Sequence, residues 1–141
     1  MPKTEITATE IQPKAAAEQI SPMAVLAPVA TWVLPGAGHF LQKKWTRGFL
    51  LLFAVALMFV FGIAMGGRIY KANGGDLLDM LGFVGDAGTG GLYVASRIMD
   101  LGIVNFPHAT ADFGTKFIVI AGLLNVMSAV DAFHIAMGRK Q

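Results

Sequence analysis

The chain contains no cysteine, which excludes disulfides, thiolate metal sites, thioether-linked haem and cysteine nucleophiles. It is also short of charge. Only 14% of its 141 residues are Asp, Glu, Lys or Arg, against roughly a quarter in soluble domains. Hydrophobic residues make up 55% and the mean hydropathy is +0.60, so too little polar surface exists to solvate a globule, and an integral membrane protein is expected. The net charge of +2 is scattered over both termini, a turn and the central segment, leaving no basic face for nucleic acid. Nucleotide motifs are missing as well. Gly88 to Gly91 has neither a preceding strand nor a following Lys, and Asp112-Phe113-Gly114 stands without a phosphate loop or a catalytic loop. No nucleophile, base and orienting group occur together, so a non-enzymatic protein is expected.

What is present divides into four parts. Residues 1–22 hold Lys3, Lys14, Glu5, Glu10 and Glu18 among prolines, and read as a flexible polar tail. The polar residues ahead of the first apolar run do not fit a cleavable signal peptide, so the tail is expected to stay attached. Residues 23–66 read as a transmembrane helical hairpin. Met23 to Leu41 is just long enough, at about 1.5 Å per residue, to cross a hydrocarbon layer of roughly 30 Å. It is taken as a first span kinked at Pro28, its rival being a re-entrant hairpin that dips in and returns. At the turn, Pro35 denies the helix another turn, and Gly36 and Gly38 permit backbone that a side chain forbids. His39 follows, and Lys43, Lys44, Trp45 and Arg47 place three cations and an amphipathic ring at headgroup level. Phe49 to Met65 carries no ionisable side chain and is the second span. Its Gly62 and Gly66 have the spacing that lets helices approach closely.

Residues 67–112 read as a Gly-rich, partly helical extracytoplasmic segment. Leu77, Leu78, Leu81 and Val84 share a helical face opposite Asp76 and Asp79, which predicts a short amphipathic helix. A polar turn is expected from Asp86 to Gly91, and Leu92 to Leu101 reads as interfacial because Arg97 and Asp100 would each cost about 2.5 to 3.5 kcal/mol at a bilayer centre. Residues 113–141 supply the third span, Phe117 to Met137, and a basic end at Arg139 and Lys140. Three spans put the basic turn and the basic C-terminus on one side, the cytoplasm by the positive-inside rule, and the tail on the other.

Asn125, Ser128, Ala132 and Ala136 fall on one arc of the third span, with Ala129 among them and Asp131 beside it. That face suits packing against other helices, the polar groups finding partners across the interface. Asp131 lies within reach of Lys43, Lys44 or Arg47 by this arrangement. The competing reading makes Asp131 and Asn125 part of an ion or proton path. Neither His108 with Asp112 nor Asp131 with His134 gains a third ligand, so no metal site is expected. No cofactor is expected either, although a single histidine, His134 or His39, suffices for axial ligation of haem or chlorophyll.

The run L-P-G-A-G-H-F, followed by the basic patch and R-G-F-L-L, resembles the loop of small bacterial membrane proteins related to the two-transmembrane-helix hairpin domain. The end, G-L-L-N-V-M-S-A-V-D-A-F-H-I-A-M-G-R-K, is similar to the last helix of an uncharacterised bacterial group that shares this loop. Relatives commonly place an aromatic residue and a Gly after the His-Phe pair, where this chain has Leu41, Gln42 and Lys43. The resemblance implies a helical hairpin in a bacterial inner membrane and carries no catalytic residues to transfer. The expectation is therefore an all-α, multi-pass protein with three transmembrane helices and a cytoplasmic C-terminus. It would act as a structural or accessory subunit of a larger membrane complex, respiratory or photosynthetic among the options, with lipid and other subunits as partners. The alternative is a cofactor-binding or ion-conducting component.

Overall fold

The computed structural model describes residues 20–71, 76–101 and 109–139. Among them every regular element is a helix: α1 (Pro22–Val33), α2 (Ala37–Leu41), α3 (Trp45–Ala64), α4 (Leu77–Ala87), α5 (Gly91–Ile98) and α6 (Ala111–Ala136). Two of them, α3 and α6, are long and apolar enough to cross a membrane, with mean hydropathies of 2.3 and 1.8 over an 18-residue window. They run antiparallel. Gly62, late in α3, meets Gly114 and Ile118, early in α6, while Leu51 shares a groove with Ser128, Asp131 and His134 towards the other end. Lys43, Lys44 and Arg47 therefore lie at the same end of the bundle as Arg139, which is called the basic end below.

The apolar run Met23 to Leu41 is not one helix. Its first piece, α1, has 12 residues, or about 18 Å, well short of a hydrocarbon core. Leu34 becomes extended ahead of Pro35, as the residue before a proline is driven to do. Gly36 then takes φ +80, a left-handed conformation costly to any residue with a Cβ. The chain reverses there. Thr31 Oγ1 donates to the Ala27 carbonyl at 2.9 Å and accepts from the Gly38 N–H at 3.0 Å, so α2 lies back along α1. Trp32 adjoins Asn125, and Pro28 shares a groove with Val130 and Phe133, so α1 runs against α6 and begins at the basic end. The first span is thus corrected to a hairpin that enters and leaves at one end. The start of α1 is correspondingly on the side of Arg139, not opposite it.

The second half repeats the plan upside down. Here α4 runs parallel to α6, with Gly85 beside Val119 and Gly88 beside Gly122. The chain reverses at Gly88 to Gly90, and α5 returns with Tyr93 edge-on to Phe83 at 5.9 Å between ring centroids. Val33 and Ala87 end the inward helices, Gly36 and Gly90 both take positive φ, and Ala37 and Gly91 open the returning helices at the same interval. Each hairpin leads into a long helix, α3 or α6, and these point in opposite directions. This is the pattern of an inverted repeat.

One expectation for the central segment is revised. The amphipathic helix is present as α4, with Leu77, Leu78, Leu81 and Val84 exposed, but the polar turn is shorter than expected. Asp86 and Ala87 belong to α4, and Asp86 is completely buried. A small apolar core, Val55, Phe59, Ile69, Ile118 and Ala121 with Leu92 and Tyr93 against it, fills the half of the bundle away from the basic end. In the basic half the helices meet instead through small residues, Ala24, Ala27, Thr31, Gly38 and Ala132, all buried.

Candidate functional site

The tips of the two hairpins meet against the middle of α6, and Asn125 stands at the junction. A helix leaves its last carbonyls without intrahelical partners, and both inward helices end in the interior. The Asn125 amide supplies donors for both: Nδ2 reaches the Gly88 carbonyl at 2.9 Å and the Trp32 carbonyl at 3.3 Å. Trp32 in turn donates from Nε1 to the Ala87 carbonyl at 3.1 Å. Close approach makes this possible. A Cβ on Gly122 would collide with the Gly85 carbonyl, one on Gly90 with the Trp32 carbonyl, and one on Gly91 with the Val33 carbonyl.

From Asn125 a line of polar side chains descends α6 to the basic end. Ser128 is one turn on and buried, and Asp131, another turn on, is partly exposed. There α2 joins it. The fully buried His39 brings Nε2 to 3.3 Å from Asp131 Oδ2, the imidazole donating in the tautomer that carries its proton on Nε2. Just past the end of α2, Gln42 donates from Nε2 to the Ala132 carbonyl at 2.7 Å. Above Asn125 the line continues in the second hairpin. Thr89 Oγ1 donates to the Asp86 carbonyl at 2.6 Å, Asp86 Oδ2 accepts from the Tyr70 N–H at 2.7 Å, and the Tyr93 hydroxyl donates to the Tyr70 carbonyl at 3.2 Å.

The residues singled out in the sequence scatter over this arrangement. Asn125, Ser128 and Ala132 do form a buried face, but the elements covering it are this chain's own α1, α2 and the hairpin tips. Ala136 is half-buried near the end of the helix. The Gly62 and Gly66 pair separates: Gly62 packs on α6, whereas Gly66, at φ +78, lies beyond the last residue of α3. His134 is half-buried, edge-on to Phe133, and faces the groove with Ser128, Asp131 and Leu51. His108 lies outside the described residues, as does Lys140. Pro35, Gly36, Gly38 and His39 are all buried, while Lys43, Trp45 and Arg47 are exposed and Lys44 is half-buried. Among the described residues no group of three His, Cys, Asp or Glu side chains is placed to hold a metal.

The tight turn survives the absence of a glycine after the His-Phe pair. Lys43 itself takes φ +59, its N–H bonding to the Phe40 carbonyl and that of Lys44 to the His39 carbonyl, the pair of bonds that closes a helix C-terminus on a left-handed residue. Asp86 and Thr89 escaped notice in the sequence because a short Asp in a Gly-rich stretch reads as solvated turn. The signal that could have found them is the recurrence of glycine at matching places in the two halves.

Among the described residues, fold and site together define an all-helical arrangement with two helices able to cross a membrane and two hairpins meeting tip to tip beside them. A model described as a family of unknown function, DUF6677, matches residues 26–141, and the chain belongs to that family. No curated protein and no solved structure matches it.

Proposed function

We propose that the chain is a non-enzymatic integral membrane protein that serves as a structural or accessory subunit of a larger membrane complex. The observation carrying this reading is the way its surface is divided. Polar groups of α6 turn inward onto hairpin carbonyls, while Leu26, Phe49, Phe53, Phe61, Leu78 and Met127 stay exposed, each by more than half. Such a surface is covered by lipid or by the apolar faces of neighbouring subunits. In this reading α3 and α6 cross the bilayer and each hairpin enters from its own side. Non-helical backbone at membrane depth is tolerated only where protein buries it, and the buried tips at Pro35, Gly36, Thr89 and Gly90 meet that condition. The basic end faces the cytoplasm by the positive-inside rule, together with the N-terminal side of α1 and the C-terminus. The likeness of its loop to hairpin-domain proteins points to a bacterial inner membrane.

Purification in mild detergent followed by mass spectrometry of the intact assembly tests the reading. Stoichiometric co-purifying membrane subunits are expected. A lone, monodisperse monomer that exchanges freely in the membrane would refute it.

A further inference from the structure

Among the described residues, five buried side-chain atoms have no hydrogen-bond partner: His39 Nδ1, Gln42 Oε1, Ser128 Oγ, Asn125 Oδ1 and Asp86 Oδ1. A buried polar group left unpaired is costly, and water is the usual remedy where space and partners exist. These five are not scattered. They follow one another along the bundle from the basic end to the hairpin junction and past it. On α6 the sequence Asn125, Ser128, Asp131 advances by three residues at each step, which separates neighbouring Cβ atoms by about 5 to 6 Å. One water making two hydrogen bonds of about 2.8 Å spans such a gap. At the basic end the groove beside Ser128, Asp131 and His134, about 440 Å³ in volume, gives water access. Past the junction the line runs through Thr89, whose hydroxyl donates to the Asp86 carbonyl, to the Asp86 carboxyl and, by way of the Tyr70 backbone, to the Tyr93 hydroxyl.

We propose that this line is a proton route: waters held between Gln42, His39, Asp131, Ser128, Asn125, Thr89 and Asp86 relay protons from one end of the bundle to the other. The chemistry of the groups favours protons over a metal cation. The two hairpin carbonyls that would ligate a cation already accept from the Asn125 amide, and the remaining side chains are groups that both donate and accept, or exchange a proton. A proton arriving on His39 Nδ1 releases the one on Nε2 to Asp131 Oδ2, and the imidazole is restored by passing through its other tautomer. Asp86 is a fully buried carboxyl that accepts from the Tyr70 N–H; an ionisable group at such a place in a membrane bundle is a marker of transport.

The test reconstitutes the protein, as purified in mild detergent, into phosphatidylcholine and phosphatidylglycerol vesicles loaded with a pH-sensitive dye, with a valinomycin-clamped potassium gradient as driving force. Proton entry faster than in protein-free vesicles is expected. Ser128→Ala removes only an unpartnered hydroxyl, so the fold is retained, and it slows entry by about tenfold through loss of one relay step. Asp86→Asn acts in the same direction, and Lys43→Ala, off the line, has no effect. Entry no faster than in protein-free vesicles, entry unchanged by both line variants, or movement of sodium in place of protons overturns the route. None of these outcomes bears on the co-purification of subunits, so the two readings fail separately.

Discussion

Asn125 and Gly88 are joined by a hydrogen bond of 2.9 Å that ties the tip of one hairpin to the middle of the helix following it. The same amide holds the Trp32 carbonyl of the other hairpin, so one side chain fixes both. Replacing it with leucine leaves a buried carbonyl at Gly88 and a partly buried one at Trp32 short of a donor, at about 1 to 3 kcal/mol each. Asn125→Leu is expected to lower stability by about 3 kcal/mol in detergent, measured by thermal unfolding. A change within a few tenths would show that the tips are held by other contacts.

Gly122 bears on the same junction through space instead of hydrogen bonding. Its missing side chain leaves room for the Gly85 carbonyl, and backbone cannot yield as a flexible side chain can. Gly122→Ala should cost about 2 to 3 kcal/mol by overpacking. Protease exposure of the Leu77–Ala87 helix is the readout, with faster cleavage expected than in the parent.

Lys43 offers a change in the opposite direction. It holds φ +59 with a Cβ, where glycine carries no steric penalty. Lys43→Gly should raise stability by about 1 kcal/mol, visible as a higher unfolding temperature. A fall would indicate that the Lys43 cation contributes more than its backbone strain costs.

Membrane placement can be mapped without background labelling because the chain has no cysteine. Single variants Ser21→Cys, Trp45→Cys and Arg139→Cys are expected to react with an impermeant maleimide from one side, and Asp112→Cys from the other. Labelling of Ser21→Cys from the side of Asp112→Cys would restore the three-span arrangement.

The long helices were readable because nothing competes with hydropathy there. Phe49 to Met65 has no ionisable residue to argue against burial, and α3 occupies nearly that stretch. Met23 to Leu41 was ambiguous for a physical reason. Hydropathy reports that a segment avoids water, not whether it emerges where it entered, and the direction was decided by Leu34, Pro35 and Gly36 together with contacts to residues near 125. The polar residues of α6 were visible as a face, but which elements would cover it was not. His39 and Asp131 stand 92 positions apart, beyond any local pattern, and Asp86 Oδ2 accepts from a backbone N–H that no side-chain motif encodes.

The carbonyl of Trp32 meets its donor only at Asn125, 93 positions later. A growing chain thus exposes the first hairpin tip long before the group that completes it has been synthesised, so docking of the two halves belongs to a late stage of maturation. Fragments stopping short of the last helix would be left with an unfinished interior, a natural mark for quality-control proteolysis.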